Sequence, residues 1–316
     1  MYNFSNMPNL SGKVAIVTGT NSGTGYGISY HLAKQGCLVI MASRSLSKVE
    51  TAIAKLKAEV PNAKLQAAQL DITDLGSIDA FAVKMEQQFS KIDYLANNAG
   101  AGHHSYIKTK DGLEENLTVN YLGHFALTTK LLPLLADGSR IVNFSSIGYK
   151  QFLKHDLDIE NLMCTDPSQY DQMQEYCKAK LCSILHAVKL QREFDRLGIK
   201  SQISSCHPGN ARTELMNKDH NKLPLRIAFK YLIAPIMKVT GMSHSLYDGA
   251  LPAIEALITD DLQAERVYSP SGKNEFTGNP VPLEIDRTHF KEQDIDALWD
   301  KTQQLLNLSV ADYLKA

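Results

Sequence analysis

Tyr176 and Lys180 lie four residues apart in the segment YCKAK, and the pair Ser145-Ser146 ends a predicted strand upstream. On a helix this spacing places both side chains on one face, with Cβ atoms about 6 Å apart. A phenol, whose pKa is about 10, exchanges protons poorly at neutral pH, but a neighbouring ammonium lowers that pKa and a serine hydroxyl can hold a substrate oxygen beside it. The set indicates an acid/base site that interconverts an alcohol and a carbonyl. A Tyr-x-x-x-Lys pair alone, among thirteen tyrosines, also fits an ordinary surface helix.

Short apolar runs alternate with helical patterns through the first two hundred residues. The predicted strands are 13–18, 38–43, 64–70, 92–96, 140–144 and 201–205, and the predicted helices are 25–34, 47–59, 75–89, 113–135 and 173–197. The first strand, KVAIVT, is a continuous β-branched run, which is typical of a strand buried on both faces. The alternation predicts βαβ units and a doubly wound parallel α/β sheet of about seven strands, with ligands at the carboxyl ends of the strands.

The last hundred residues are less regular. The apolar segment 225–237 is punctuated by charges and a proline; a helical lid over the substrate pocket is one interpretation, and a contact with a second subunit or a membrane surface is the other. Apolar residues at helix-compatible spacing predict a C-terminal helix over 295–308 that docks on the core: Ile295, Leu298, Trp299, Leu305 and Leu306. With no repeat or low-complexity linker, we expect a single domain over 1–316, with a core over 10–212 and a lid, last strand and C-terminal helix over 213–316.

Composition narrows the class of protein. A net charge of −1 and an ordinary apolar fraction predict a sizeable core and no nucleic-acid footprint. Five scattered cysteines without a Cys-x-x-Cys pair favour reduced thiols and a reducing compartment. The N-terminus, MYNFSNMPNLSGK, lacks the apolar core of a signal peptide or membrane anchor. We therefore expect a cytoplasmic protein that acts on a small molecule and has no stable membrane anchor. The protein partner to consider is a second copy of the chain, in a homodimer.

The first predicted strand leads into TGTNSGTG, which has glycines at 19, 23 and 25. Glycines in such a turn let the backbone approach a pyrophosphate closely, and the following helix offers N–H groups and a positive dipole end to the phosphates. The spacing is G-x-x-x-G-x-G rather than G-x-G-x-x-G. Its place between a strand and a helix, at the head of a βαβ series, predicts a dinucleotide site.

The end of the second strand bears on the choice of nucleotide. Arg44 follows that strand, and no carboxylate occurs before Glu50. An acidic residue there would accept hydrogen bonds from the ribose 2′-OH of NAD, whereas a guanidinium grips a 2′-phosphate. The sequence therefore favours NADP(H) over NAD(H). The alternative, that Arg44 is an ordinary solvated loop residue, stays open.

Six motifs occur in the order found in the short-chain dehydrogenase/reductase superfamily: TGTNSGTG, NNAG at 97–100, VNYLGHF, VNFSS, YCKAK and HPG at 207–209. The chain resembles that superfamily over about residues 10–213, which implies a Rossmann-type fold. The stretches VNYLGHFALT, EYCKAKLCSIL and CHPGNARTEL, with the thirty-residue gap between Ser146 and Tyr176, are similar to its retinol-dehydrogenase-like branch. The late segment RVYSPSGKNEFTGNPVP resembles soluble microbial members. Membrane-bound members often begin with an apolar anchor, and its lack here argues against retinol itself.

The resemblance implies a role for each matching residue. Tyr176 is the general acid and base, Lys180 lowers its pKa and binds the nicotinamide ribose, Ser146 rather than Ser145 holds the substrate oxygen, and Asn120 kinks its helix and binds a water that links Lys180 to solvent. Asp71 and Ile72 contact the adenine, Asn98, Ala99 and Gly100 flank its ribose, and Pro208, Gly209 and Thr213 support the nicotinamide. The loop and the end of the second strand complete the nucleotide set: Gly19, Asn21, Ser22, Gly23, Gly25, Ser43 and Arg44.

The leading hypothesis is an NADP-dependent oxidoreductase of a lipophilic or medium-sized carbonyl. A nucleotide-bound redox sensor or scaffold stays open, as does a C=C reductase like the related protochlorophyllide reductases. No metal is expected, because the remaining candidates fit plainer roles. These are His103 and His104 in a loop, His207 in the HPG turn, Cys177 as a packed thiol, and His155, Asp156, Asp158 and Glu160 in a solvated loop.

Overall fold

One eight-stranded sheet organises the described residues, which are 7–102, 105–211 and 243–314 of the computed structural model. Its strands are β1 (Val14–Thr18), β2 (Leu38–Ser43), β3 (Lys64–Gln69), β4 (Ile92–Asn97), β5 (Leu135–Phe144), β6 (Gln202–Cys206), β7 (Arg266–Pro270) and β8 (Pro280–Glu284). The helices are α1 (Gly23–Lys34), α2 (Leu46–Glu59), α3 (Leu75–Gln88), α4 (Glu115–Leu117), α5 (Gly123–Leu131), α6 (Gly148–Gln151), α7 (Gln172–Leu197), α8 (Leu246–Ile258) and α9 (Glu292–Leu306).

The strand order is β3-β2-β1-β4-β5-β6-β7-β8, and every pair except β7–β8 is parallel. The doubly wound sheet predicted from the sequence is confirmed, with eight strands where about seven were expected. The eighth strand, PVPLE, is an edge strand paired antiparallel to β7. A proline has no N–H for a sheet ladder and is tolerated at an edge, so its two prolines are compatible with this position although they hide the strand in the sequence.

Two apolar layers cover the two faces of the sheet. Alternate residues of one strand belong to different layers: Ile16 lies in the first, whereas Ala15 and Val17 lie in the second. The first layer includes buried residues of α3, α5, α7 and α9, and the second includes those of α1, α2 and α8. Because both faces are buried, the central strands are apolar without alternation, which explains the KVAIVT run.

Two departures from the predicted elements concern helices. The single helix expected over 113–135 is divided into α4, a π-helical turn over Thr118–Leu122, α5 and a 3₁₀ turn over Leu132–Leu134. Helix α8 was not predicted at all, although Ser245 and Asp248 form a capping box at its start. The segment 225–237, interpreted as a lid, lies outside the described residues.

The predicted C-terminal helix is confirmed as α9, which begins three residues earlier than expected and ends two residues earlier. Its apolar face is buried in the first layer, where the Trp299 ring meets Phe125 edge-on at a centroid distance of 5.2 Å. Helix α9 thereby packs against α5 and against α7, which carries Tyr176 and Lys180.

Candidate active site

Helix α7 carries Tyr176 and Lys180 one turn apart, as the sequence predicted. Asp171 caps the helix by accepting the N–H groups of Met173 and Gln174. The Lys180 ammonium nitrogen lies 5.6 Å from the centre of the Tyr176 ring and donates to the carbonyl oxygen of Phe144 at 3.0 Å. Burial lowers the pKa of Lys180 to about 8. A buried cation is thus held beside a half-buried phenol.

The two serines after β5 are used differently. The hydroxyl of Ser145 is buried and donates to the Lys180 carbonyl oxygen at 2.8 Å, so it ties α7 to the sheet. The hydroxyl of Ser146 accepts the Gly148 N–H at 3.2 Å and lies at the wall of both cavities described below. The geometry therefore places Ser146, rather than Ser145, where a substrate oxygen can be held.

Asn120 sits in the middle of the π-helical turn. Its amide nitrogen donates to Ala101 and Asn116, whereas its buried amide oxygen has no hydrogen-bond partner among the described residues. A methyl group added to Gly100 would lie 2.8 Å from that oxygen and 3.3 Å from the Lys180 nitrogen. Asn120 and Lys180 therefore flank the same small space, which only a glycine leaves open. A π-helical turn contains one residue more than an α-helical turn, which changes the direction of its side chains, and such turns occur often at functional sites.

The glycine loop is built as the sequence predicted, with one difference. Gly19 and Gly23 have left-handed φ angles of 70° and 61°, a conformation that favours glycine. Gly25 does not line the cleft but packs behind the loop, where a Cβ would come within 2.4 Å of the Gly19 carbonyl oxygen. The Asn98 side chain holds this arrangement, because it donates to the Thr18 carbonyl at 2.8 Å and accepts from the Thr24 hydroxyl at 2.7 Å.

The far end of the cleft holds two exposed cations. Arg44 follows β2, and Lys48 lies in the first turn of α2, which carries no acidic residue. The positive end of this helix adds to the same field. Lys48 was missed by the sequence reasoning, although its Arg-x-x-x-Lys spacing from Arg44 was visible. Asp71, which also lines the cleft, accepts the N–H and hydroxyl of Thr73 at 3.0 and 2.7 Å.

The HPG turn forms the near end of the cleft. Gly209 has a φ of 62°, and a Cβ there would approach the Phe276 carbonyl oxygen to 2.4 Å. Glu275, on the loop between β7 and β8, accepts hydrogen bonds from His207 at 2.7 Å and from Lys150 at 2.9 Å. Burial would raise the pKa of Glu275, but these two hydrogen bonds outweigh it and lower the pKa to about 2. An ionised carboxylate thus holds His207 of the HPG turn in place, and nothing in the sequence indicated this contact.

Two cavities meet at this site. A long cleft of about 510 Å³ runs along the carboxyl ends of the strands, and a side pocket of about 230 Å³ is lined by Gly102, Ser146, Ile147, Gly148, Phe152, Gln172, Met173 and Tyr176. Only Ser146 and Tyr176 belong to both linings among the described residues. The long cleft brings together most of the predicted set: Gly19, Asn21, Ser22, Gly23, Ser43, Arg44, Asp71, Ile72, Asn98, Ala99, Gly100, Asn120, Ser146, Tyr176, Lys180, Pro208 and Gly209. Thr213 lies outside the described residues.

The remaining candidates take structural or surface positions. Asp158 accepts two hydrogen bonds from Asn161, and burial raises the pKa of Cys177 to about 12, which keeps that thiol neutral. Within 7–102, 105–211 and 243–314, no group of three or more His, Cys, Asp or Glu side chains is arranged to hold a metal ion. His103 and His104 lie outside these ranges. Among the helices described, none combines the length and apolarity needed to cross a membrane.

A strand-end dinucleotide cleft with an adjoining Ser-Tyr-Lys set defines a class of nucleotide-binding α/β oxidoreductases, and the comparisons with known proteins agree. The family model for short chain dehydrogenases matches residues 13–155. Mouse retinol dehydrogenase 13 is 32% identical over 96% of this chain and 86% of its own length, and human retinol dehydrogenase 14 is 33% identical over 95% and 88%. A crystal structure of a Mycobacterium paratuberculosis protein superposes with a TM-score of 0.76 at 28% identity, covering 98% of both chains.

The chain belongs to the short-chain dehydrogenase/reductase family, in its retinol-dehydrogenase-like branch. Members of this family use nicotinamide cofactors. The resemblance stated from the motifs is confirmed.

Proposed function

We propose that this protein is an NADP(H)-dependent oxidoreductase that interconverts an alcohol and a carbonyl, with Tyr176 as the general acid and base. The observation that carries the proposal is the meeting of the long cleft and the side pocket at Ser146 and Tyr176. A nucleotide in the cleft and a substrate in the pocket would therefore share the one place where two hydroxyls and the Lys180 cation converge.

The residues present fit a nicotinamide dinucleotide. The left-handed glycines Gly19 and Gly23 shape a tight loop, and the start of α1 directs its N–H groups and positive end at the place where the phosphates would lie. Arg44 and Lys48 lie at the end where the adenosine ribose would sit, and no carboxylate follows β2 there. A 2′-phosphate would gain a bidentate guanidinium and a second cation, which is the reason for preferring NADP(H).

When bound, the nicotinamide supplies or accepts a hydride. The other steps belong to this chain's own side chains. In reduction, Tyr176 and Ser146 donate hydrogen bonds to the substrate oxygen as negative charge builds on it, and Tyr176 then transfers its proton. The ammonium of Lys180 stabilises the resulting phenolate. In oxidation the same phenolate accepts the alcohol proton.

Lys180 and Asn120 provide a route by which Tyr176 is reprotonated. The unpartnered Asn120 oxygen and the Lys180 nitrogen face one small space beside Gly100, and a water bridging them would pass a proton from solvent towards the phenolate. The Asn120 oxygen is suited to accept a hydrogen bond there and cannot donate one.

The side pocket points to the substrate class. Its wall is mainly apolar, with Ile147, Phe152 and Met173, and its polar groups are Ser146, Tyr176 and Gln172. Phe152 and Met173 are about half exposed, at 50% and 48%. Such a pocket fits a carbonyl carried on a lipophilic group, since burying apolar surface supplies most of its binding free energy.

The test is consumption of NADPH and NADH across a panel of retinal, aliphatic aldehydes and steroid and aromatic ketones, with the Tyr176→Phe variant beside the parent enzyme. We expect NADPH to bind both proteins equally and turnover of the variant to fall by roughly two to four orders of magnitude, the usual contribution of a positioned proton donor. Near-normal turnover in Tyr176→Phe would refute the mechanism. Product analysis separates an alcohol from the saturated ketone that a C=C reductase would form.

A further inference from the structure

We propose that Gln172 determines substrate specificity: its amide binds a second oxygen of the substrate, apart from the one that Tyr176 protonates. The substrate class is then a lipophilic carbonyl compound that also carries a hydroxyl, ether or keto oxygen. This inference rests on the proposed function, because it names the substrate class of the same site. Gln172 lies outside all six sequence motifs, so the family resemblance implies no role for it.

Helix α7 brings Gln172 to the side pocket. Gln172 is the first residue of this helix and precedes Tyr176 by four positions, a spacing that places two side chains on one helix face. Both residues line the side pocket. Asp171 caps the helix by accepting the N–H groups of Met173 and Gln174, so the backbone that carries Gln172 is held in place. Gln172 and Tyr176 therefore border the substrate space from one helix, one turn apart.

Two glutamines lie at the start of α7, and their side chains are used differently. The Gln174 amide accepts the Lys154 N–H at 2.9 Å and donates to the Phe152 carbonyl oxygen at 2.8 Å, so it ties the pocket wall to the helix. The Gln172 side chain is partly buried and makes no hydrogen bond within the part of the chain that the structure describes. Gln174 thus has a structural role, whereas the Gln172 amide is available to a ligand.

Gly102 lies opposite the Gln172 amide in the pocket. A Cβ on Gly102 would lie 2.9 Å from the side-chain nitrogen of Gln172, so a glycine at this position leaves room for the amide. Apart from Ser146 and Tyr176, every other described residue of the lining is apolar or a glycine. Gln172 is therefore the one additional polar group that the described lining offers to a substrate.

The polar groups of the pocket would divide between two oxygens of the substrate. Ser146 and Tyr176 hold the reacting oxygen, so a second oxygen would meet Gln172. An amide both donates and accepts hydrogen bonds, and it suits a hydroxyl as well as an ether or keto oxygen. A substrate without a second oxygen would displace water from the amide and would not replace its hydrogen bonds, which weakens binding.

The experiment measures kcat/KM with NADPH for benzylacetone and for its derivatives with a hydroxyl or methoxy group at the ortho, meta or para position of the ring. Two methylene groups separate the ring from the carbonyl, so the added oxygen hardly changes the reactivity of the carbonyl. We expect the parent protein to prefer at least one hydroxy and one methoxy derivative by roughly three- to tenfold, the effect of one net hydrogen bond. The gain should lie in KM, because a contact away from the reacting carbon stabilises the ground and transition states equally.

Four variants assign this preference to the amide. Gln172→Leu removes both hydrogen-bonding groups at similar volume and should abolish the preference. Gln172→Glu, when ionised, accepts hydrogen bonds but does not donate them, so it should keep the preference for the hydroxy derivative and lose that for the methoxy derivative. Gly102→Ala should weaken both preferences, because its methyl group would displace the Gln172 amide. Gln169→Leu makes the same substitution at an exposed glutamine outside both cavities and is the matched control.

Loss of the preference in Gln172→Leu, with the parent ratio kept in Gln169→Leu, would support the role of Gln172. The same ratio of kcat/KM values in the parent protein and in Gln172→Leu would overturn it. Derivatives that are not reduced are tested as competitive inhibitors of the best substrate in the panel above, and equal inhibition constants for the substituted and plain ketones also overturn the role.

Tyr176→Phe, assayed in parallel, separates the two hypotheses. Turnover that persists without the Tyr176 hydroxyl contradicts the proposed function itself. Turnover that depends on Tyr176 but shows an unchanged substrate ratio in Gln172→Leu contradicts only the role of Gln172.

Discussion

Removal of the cations at the far end of the long cleft should weaken NADPH binding selectively. Arg44 and Lys48 are both exposed and lie on the wall where the adenosine ribose of the nucleotide would sit. A hydrogen bond to a charged group contributes about 1.5–3 kcal/mol, and solvent and salt place exposed groups at the low end of that range. Because about 1.4 kcal/mol is tenfold in affinity, Arg44→Ala should raise the Kd for NADPH roughly tenfold.

Lys48→Met should have a smaller effect, roughly two- to fivefold, because an ammonium makes a single-point contact and exposed ion pairs contribute about 0.2–1 kcal/mol. In the double variant, the Kd for NADPH should rise by less than the product of the two single increases, since both cations would act on one phosphate. NADH lacks that phosphate, so its Kd should change less than twofold in all three variants.

Titration of each variant with NADPH and NADH by fluorescence, at low and high salt, provides the measurement. Lys57→Met is the control, because it removes the same charge from the last turn of α2, outside the long cleft. High salt should reduce the difference between the Kd values of the parent protein for NADPH and NADH. Equal weakening of NADH and NADPH by Arg44→Ala, or no change for either, would show that these cations do not bind a 2′-phosphate.

Three further outcomes follow from the packing. Gly25→Ala should abolish nucleotide binding, because its Cβ would lie 2.4 Å from a loop carbonyl oxygen; unchanged NADPH titration would contradict the tight loop. The pKa of Glu275 in the folded protein is about 2, below its ordinary 4.5. The ionised carboxylate therefore stabilises the fold above pH 4.5, and this stabilisation is lost as the pH falls towards 2. In unfolding titrations, the free energy of unfolding of Glu275→Gln should fall less steeply with decreasing pH than that of the parent protein. If the chain is one domain, the fluorescence of Trp299 and the far-UV circular dichroism should follow one transition on unfolding, whereas two separate midpoints would indicate two units.

Much of the nucleotide end of the site could be predicted because its residues are contiguous and lie at the ends of strands. The β-branched β1, the glycine loop and the start of α1 succeed one another without interruption, and parallel strands bring their carboxyl ends to one edge. Asn98 was predicted to flank the ribose, and it lies at the cleft. The sequence could not reveal that its side chain is consumed in tying the loop to β1 and α1, because those hydrogen bonds connect residues about eighty positions apart.

Most of the features that sequence reasoning missed depend on geometry that no local pattern encodes. The family resemblance implied a kink at Asn120, but the π-helical form of that turn needs one inserted residue, and an insertion leaves no signature in apolar spacing. Glu275 has a φ of 56°, a left-handed conformation that is uncommon for glutamate, so neither its turn nor its partners could be expected. Helix α8 did have a signal in its capping box, but Pro252 inside it is typical of a helix end.

Residues 243–314, the described part of the C-terminal third, are structurally continuous with the rest of the described chain. Strand β7 extends the parallel sheet from β6, and its loop to β8 supplies Glu275, which holds the HPG turn at the near end of the long cleft. Helix α9 packs its apolar face against α5 and α7. Because parts of the site itself depend on these contacts, we propose that the chain folds as one domain. Substitutions behind the HPG turn should then act on nucleotide binding although they touch no nucleotide.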